Sequence, residues 1–256
     1  MKKIGLIFVF FILFSLTSCA RAPHRVLHTI EPYSYPGMPE KIVTTPDIIR
    51  TDIYHEVGPG ETVWRIGQMY DVDIKSIVWA NKLKDADVLE KGQRLLIPSA
   101  APLRAVIPLY PSKKWKYIII HHSATEVGKA LSFDYVHTTQ RRWKGLGYHF
   151  VIDNGTSGKE DGQIEVSPRW LHQNDGAHCK AGGMNCKGIG ICLVGNFSEG
   201  RVSDRQLDSL VYLVSVLKDY YHIADFRILG HSDVKGAKTE CPGTHFPWKK
   251  FRNRLK

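Results

Sequence analysis

The stretch Ile228-Leu-Gly-His231-Ser-Asp-Val-Lys-Gly-Ala-Lys-Thr239-Glu-Cys241-Pro-Gly243 decides how the chain is read. Phe226 to Leu229 is a short apolar run that reads as a strand delivering His231 to a loop. That loop then offers Cys241, held between Thr239 and Pro242-Gly243. One histidine and one cysteine do not make a metal site, so a third donor has to come from elsewhere. His121 is the best candidate, because it ends the apolar run Tyr117-Ile-Ile-Ile120 and also stands at a strand terminus. Two imidazoles and a thiolate are borderline-soft donors suited to one zinc ion, and three protein ligands leave a fourth tetrahedral position for water. Such a site is hydrolytic. Spacing by itself does not choose it over hydrogen-bonded structural histidines at strand ends.

Around this stretch, residues 115–256 read as one domain. Ser132 is placed to cap a helix with Phe133, Val136, Gln140 and Trp143 on one face, ended by Gly145. Tyr148 to Asp153 is a second strand, Ile164-Glu-Val166 a short one, and Gly188 to Phe197 a central one. Between them Trp170 to Asn185 is a Gly-rich loop too long to be an idle connection. Ser203-Asp-Arg-Gln206 fits a capping box opening a helix with Leu207, Leu210, Val211, Val214 and Leu217 inward. Strands interleaved with helices predict an α/β domain: a mixed β-sheet flanked by helices, with His121 and His231 both at strand ends.

Upstream, the proline-containing residues 99–114 read as a linker, and residues 53–98 as a small βααβ module. Tyr54-His-Glu-Val57 alternates like a strand, Thr62 caps a helix, Asp73 caps a second, and Leu95-Leu-Ile97 closes the unit. So few residues provide little core for an independent domain. Residues 19–52, with Pro23, Pro32, Pro36, Pro39 and Pro46 and no periodicity, read as an extended tether. Residues 1–18 carry a basic start and an apolar run from Ile4 to Leu16, too short for a spanning helix and suited to a signal peptide. Leu16-Thr-Ser-Cys19 resembles a bacterial lipobox, which implies acylation of Cys19 and a lipid anchor. The expected location is the cell envelope, on the outer membrane facing the periplasm if the host has two membranes.

The formal charge is +10, or +8 once Lys2 and Lys3 leave with the leader, and the basic residues are spread along the chain. Without a dense basic helix or tract, nucleic acid is the weaker partner and is not expected, and anionic wall polymers or lipid surfaces are favoured. Cys192 lies in an apolar run and reads as core; Cys179 and Cys186 flank Gly182-Gly183 and either pair or stay free.

Five segments in order carry a family resemblance: His121-His-Ser-Ala-Thr125, Gly147-Tyr-His-Phe-Val-Ile152, Gly176-Ala-His178, Gly188-Ile-Gly-Ile-Cys-Leu-Val-Gly-Asn-Phe197, and His231-Ser-Asp-Val followed by Thr239-Glu-Cys-Pro-Gly243. Together they resemble the zinc N-acetylmuramoyl-L-alanine amidases of the phage-lysozyme type and the peptidoglycan recognition proteins. The small module resembles LysM through Pro59-Gly-Glu-Thr62, Trp64-x-Ile66, Trp79-x-Asn81 and Lys91-Gly-Gln-x-Leu-x-Ile-Pro98, which implies binding of N-acetylglucosamine-containing glycan.

The resemblance implies one zinc ion on His121, His231 and Cys241, and cleavage of the bond joining N-acetylmuramic acid to L-alanine of the stem peptide. It implies a catalytic role for Tyr148, and for Thr239 a contact to oxyanion or substrate. Phage enzymes carry a lysine where Thr239 stands, and Lys238 is one step further out. Cytoplasmic relatives carry a glutamate where Cys192 stands, so no carboxylate base comes from that position. Trp170 and His178 resemble substrate-wall residues, whereas His122 and His149 read as structural. The expected partner is peptidoglycan, bound by a monomer. The alternative is a non-catalytic peptidoglycan-binding lipoprotein of the same fold, and recognition proteins of that kind lack the cysteine that is present here.

Overall fold

A computed structural model of the protein describes residues 49–256; the expected leader, Cys19 and nearly all of the tether lie outside the described residues. Alternation around Tyr54 produces strand β1 (Thr51–Glu56), in which Tyr54 is exposed and His55 buried. Thr62 caps helix α1 (Val63–Tyr70), its hydroxyl accepting from the Arg65 N–H at 3.2 Å. Helix α2 (Ile74–Ala80) follows, and β2 (Arg94–Ala100) returns antiparallel to β1. Val57, Ile66, Met69, Ile77, Leu95 and Ile97 fill the core of this module. Asn81 explains the Trp79-x-Asn81 pattern. Its amide donates to the carbonyls of Ile77 and Leu96 at 2.8 and 2.7 Å, and its Oδ1 accepts from the Leu96 N–H at 2.7 Å, tying the end of α2 to β2.

A core this small is supplemented by buried charge and by the neighbouring domain. Glu61 is buried against His55 at 2.7 Å and Arg65 at 2.8 Å. Burial pushes its carboxyl up, but His55, Arg65 and Lys159 outweigh this and hold it well below the usual carboxylate range. Residues 99–114 are packed rather than loose: Val106, Ile107 and Leu109 are buried, and the N–H groups of Ala101 and Arg104 donate to the carbonyls of Tyr70 and Met69. Lys91 pairs with Asp134 at 2.7 Å and Lys129 with Glu56 at 2.8 Å, and Lys159, paired with Glu165 at 3.1 Å inside the large domain, donates to the Glu56 carbonyl at 3.4 Å, so the small module is docked on the large domain.

The large domain contains β3 (Tyr117–His122), α3 (Ala130–Thr139), β4 (Phe150–Asn154), β5 (Asp161–Val166), α4 (Pro168–Leu171), α5 (Met184–Lys187), β6 (Gly188–Leu193), α6 (Asp204–Tyr221), β7 (Ile228–Gly230) and α7 (Trp248–Arg254). Its sheet runs β5-β4-β6-β3-β7, with β5 antiparallel and the rest parallel. Every residue of β6 is buried, as expected of a central strand covered on both faces. One face, with Ile118, Ile120, Ile152, Ile191 and Leu193, packs on Leu207, Leu210, Leu213, Val214 and Leu217 of α6. The other face presents His121, Val151 and Cys192 toward α3 and the loops. The fold is thus a mixed α/β sheet flanked by helices and preceded by a βααβ module.

Three local expectations change. Ser132 is not the cap of α3 but its third residue: the helix starts at Ala130, and the Ser132 hydroxyl accepts from the Lys129 N–H at 3.0 Å. Phe226 is 76 % exposed in a helical turn that precedes β7, so the strand delivering His231 is only Ile228–Gly230. The loop from Trp170 to Asn185 begins in α4 and ends in a tight helical turn and α5, with residues 172–180 irregular between them.

Candidate metal centre

The parallel strands β3 and β7 pair Ile120 with Gly230, so His121 and His231 leave neighbouring strands at the same end of the sheet. Ligand sites in open α/β sheets lie outside such carboxyl ends. Cys241 reaches them because its loop is pinned: the Ser232 N–H donates to the Cys241 carbonyl at 2.8 Å, and the Cys241 N–H to Thr239 Oγ1 at 3.1 Å. Gly243 is required here. It has φ +103°, and a Cβ would lie 2.3 Å from the Phe197 carbonyl carbon, so no other residue lets the loop lie this close.

One nitrogen of each histidine and the Cys241 Sγ lie within 4.8 Å of one another. A tetrahedron with bonds of about 2.0 to 2.3 Å has edges of about 3.3 to 3.8 Å, and the separation of Cys241 Sγ from His121 Nδ1, 3.6 Å, is such an edge. His121 and Cys241 are buried, whereas His231 is half-buried and opens the cluster to solvent. Burial pushes the Cys241 thiol up to about 12, and a hydrogen bond from the His122 N–H at 3.4 Å opposes this. Burial, helped by His178 and His231, pushes His121 well down, and burial alone lowers His231. Left to themselves the three groups are neutral lone-pair donors at a largely buried strand end. Such a set fits a divalent zinc ion, whose charge ionises the thiol.

Tyr148 stands beside this cluster, its ring 5.3 Å from that of His121 and 5.6 Å from that of His137. Burial, with the Cys192 and Cys241 thiols, pushes its phenol well above the ordinary value, so it keeps its proton and is a donor. The turn that carries it is tight: the Gly147 N–H donates to His137 Nδ1 at 3.1 Å, and a Cβ on Gly147 would meet the Ala177 carbonyl and the Trp143 ring at 2.9 Å. His137 and Asp134, whose Oδ1 accepts from the Leu146 N–H at 2.8 Å, hold this turn and were missed in the sequence. Their helical spacing on α3, three apart, was the available signal.

Other expected site residues lie elsewhere. Trp170 is fully buried, donates from Nε1 to the Pro108 carbonyl at 2.7 Å and packs on Trp115 and Phe150. It is a core residue that anchors the connector, not a substrate wall. His178 is 8 % exposed and bonded behind His121, so it lines no groove either. Thr239 is exposed beside Cys241, with an oxygen already accepting from the Cys241 N–H; its hydroxyl proton remains free to donate outward. His149 is buried between the Gly190 N–H and the Asn174 carbonyl, as a structural residue would be. Cys179 and Cys186 are both free thiols, one buried and one exposed.

The chain belongs to the N-acetylmuramoyl-L-alanine amidase family, whose model matches residues 111–244, and it carries a LysM domain at residues 55–98. Among relatives, it is 30% identical to the endolysin of Escherichia phage T7 over 132 residues, covering 49% of this chain and 78% of that one. It is 28% identical to peptidoglycan-recognition protein 2 of Holotrichia diomphalia, over 53% of this chain and 71% of the relative. A solved structure, the N-acetylmuramoyl-L-alanine amidase LysC from Clostridium intestinale, is 33% identical, covering 57% of this chain and 90% of that one with a TM-score of 0.46.

Proposed function

We propose that the protein is a zinc-dependent hydrolase of peptidoglycan that cleaves the amide between N-acetylmuramic acid and the L-alanine of the stem peptide. The observation that carries this reading is the convergence of His121, His231 and Cys241 within 4.8 Å, at a strand-end position next to a protonated tyrosine. Bound there, zinc supplies Lewis acidity and a hydrolytic nucleophile at neutral pH. His121 and Cys241 hold the buried side of the site, and half-buried His231 leaves the outer side open to substrate. Tyr148 donates its hydroxyl proton in a hydrogen bond to the oxygen of the attacked amide as negative charge develops there. Thr239, which precedes Cys241 by two residues in the pinned loop, offers its hydroxyl to the same oxygen or to the muramyl group. Family membership and the LysM domain support peptidoglycan as the partner.

The protein works in the bacterial envelope, held to its membrane by acyl chains on Cys19. The lipobox-like Leu16-Thr-Ser-Cys19 supports this placement. Among the described residues no helix is long and apolar enough to cross a membrane. Digestion of purified sacculi with and without a zinc chelator tests the reading. New L-alanine N-termini that disappear with chelator and return with zinc are expected. Binding to sacculi without any release identifies a non-catalytic wall-binding protein instead.

A further inference from the structure

The part of the Gly-rich loop that carries Gly176-Ala-His178 lies behind the metal cluster, and the chemistry of its histidine is set by a backbone atom. His178 Nε2 is 3.1 Å from the Gly188 carbonyl oxygen. A carbonyl only accepts, so the hydrogen of the neutral ring sits on Nε2 and Nδ1 carries a lone pair. That Nδ1 is 3.0 Å from His121 Nε2. The hydrogen between the two rings therefore belongs to His121 Nε2, and His121 Nδ1 is left with its lone pair directed at the side of Cys241 Sγ, 3.6 Å away.

The ring of His178 is locked in this role. Gly176 and Gly190 enclose it so closely that a Cβ on either would lie 2.3 and 2.5 Å from its Cδ2. Its backbone N–H donates to Asn185 Oδ1 at 2.9 Å, and Asn185 accepts from Cys179 as well. The strand on its other side is fixed in turn by His149, whose Nδ1 accepts from the Gly190 N–H at 2.9 Å and whose ring stands edge-on to His178 at 5.5 Å. Nothing else in this arrangement requires an imidazole at 178.

We infer that His178 is a positioning residue: it hands the tautomer dictated by the Gly188 carbonyl to His121, so that His121 presents Nδ1 as a preformed metal donor. This rests on the zinc reading given above. Partners of this kind orient a ligating imidazole, fix its tautomer and raise its basicity, and their loss lowers metal affinity by about 10- to 100-fold. The two glycines at 176 and 190 are then part of the metal centre, because they make the space in which the orienting ring lies.

The test has two parts. Long-range proton–nitrogen NMR of the metal-free wild-type protein at neutral pH reads the tautomers directly. Hydrogen on Nε2 of both His121 and His178 is expected, and hydrogen on Nδ1 of either overturns the inference without any variant having to fold. Zinc affinity is then measured by competition with a chromophoric chelator for wild type, His178→Leu and His178→Asn, with the visible spectrum of the cobalt-loaded forms as a second readout. Leucine is expected to weaken binding about 10- to 100-fold and to alter the cobalt spectrum. Asparagine, whose Oδ1 replaces Nδ1 as acceptor, is expected to restore most of the affinity. A folded His178→Leu protein that binds zinc as tightly as wild type overturns the positioning role alone. A wild-type protein that takes up no zinc overturns the metal reading on which it rests.

Discussion

Replacement of Lys159 by methionine removes a buried cation at the junction of the two folded parts, where its Nζ donates to the Glu56 carbonyl at 3.4 Å. The side chain of Lys159 is 5 % exposed and that of its partner Glu165 is 3 % exposed, at 3.1 Å. Lys159 also draws down the pKa of Glu61 in the small module and opposes the rise of that of Asp153 in β4. Burial together with Glu165 pushes the Asp153 carboxyl well up, so it holds its proton and adds no second negative charge beside Glu165, but it brings no cation to replace the one removed. Removing one partner of a buried pair costs about 3–5 kcal/mol. At about 2–4 °C per kcal/mol for a fold of this size, the melting midpoint should fall by about 6–20 °C. The sign of the pH dependence follows from Glu61. Its folded pKa lies below the ordinary 4.5, so the stability it contributes is present above that value and is lost as the pH falls below it. Part of that contribution comes from Lys159, so the gap between wild type and variant should be full at pH 7 and shrink below pH 4.5. Urea denaturation followed by both tryptophan fluorescence and circular dichroism measures it, with Lys159→Met/Glu165→Gln expected to recover part of the loss. A gap below about 1 kcal/mol, as for an exposed pair, or one that does not vary with pH, refutes the reasoning.

Tyr148→Phe should fold and bind zinc normally while losing about 10²- to 10³-fold in rate on sacculi, the usual cost of one oxyanion donor; activity within a few-fold of wild type removes Tyr148 from the reaction. Trp170→Ala should cost about 3–5 kcal/mol as a core truncation, with rate per folded molecule and substrate affinity unchanged; a selective loss of affinity would return it to the substrate wall. His137 is pushed down to about 4 by burial and by Arg141, from 6.5, so its contribution to stability is intact above pH 6.5 and declines toward pH 4. The fall in urea midpoint over that interval should be smaller in His137→Asn, which keeps an acceptor for the Gly147 N–H; equal slopes contradict this.

The two histidines of the candidate metal centre were legible because each sits where a short apolar run ends. Ile118 to Ile120 and Ile228 to Gly230 are parallel neighbours in the sheet, and a residue just beyond such a run has nowhere to go but the strand end. The capping box at Ser203 was legible for the same local reason, since Ser203 and Gln206 satisfy each other's backbone within one turn. Trp170 and His178 were misread because a Gly-rich loop looks exposed in sequence, whereas the glycines at 176 and 190 serve to admit a buried ring. The density of the connector was also hidden. Val106, Ile107 and Leu109 have no periodicity of their own and are buried by residues distant in the chain, among them Trp170. Helix α7 carries Lys249, Lys250, Arg252 and Arg254 and buries only Phe251, too faint an amphipathic signal to register.

The proposed activity depends on one coordination sphere. X-ray absorption at the zinc edge, combined with elemental analysis of the purified protein, should give one zinc per chain with two nitrogen donors at about 2.0–2.1 Å and one sulfur at about 2.3 Å. Cys241→Ala should lose the sulfur shell and the release of L-alanine termini together. A metal-free protein that still releases those termini, or a zinc shell without sulfur, would contradict the convergence of His121, His231 and Cys241 on a single ion.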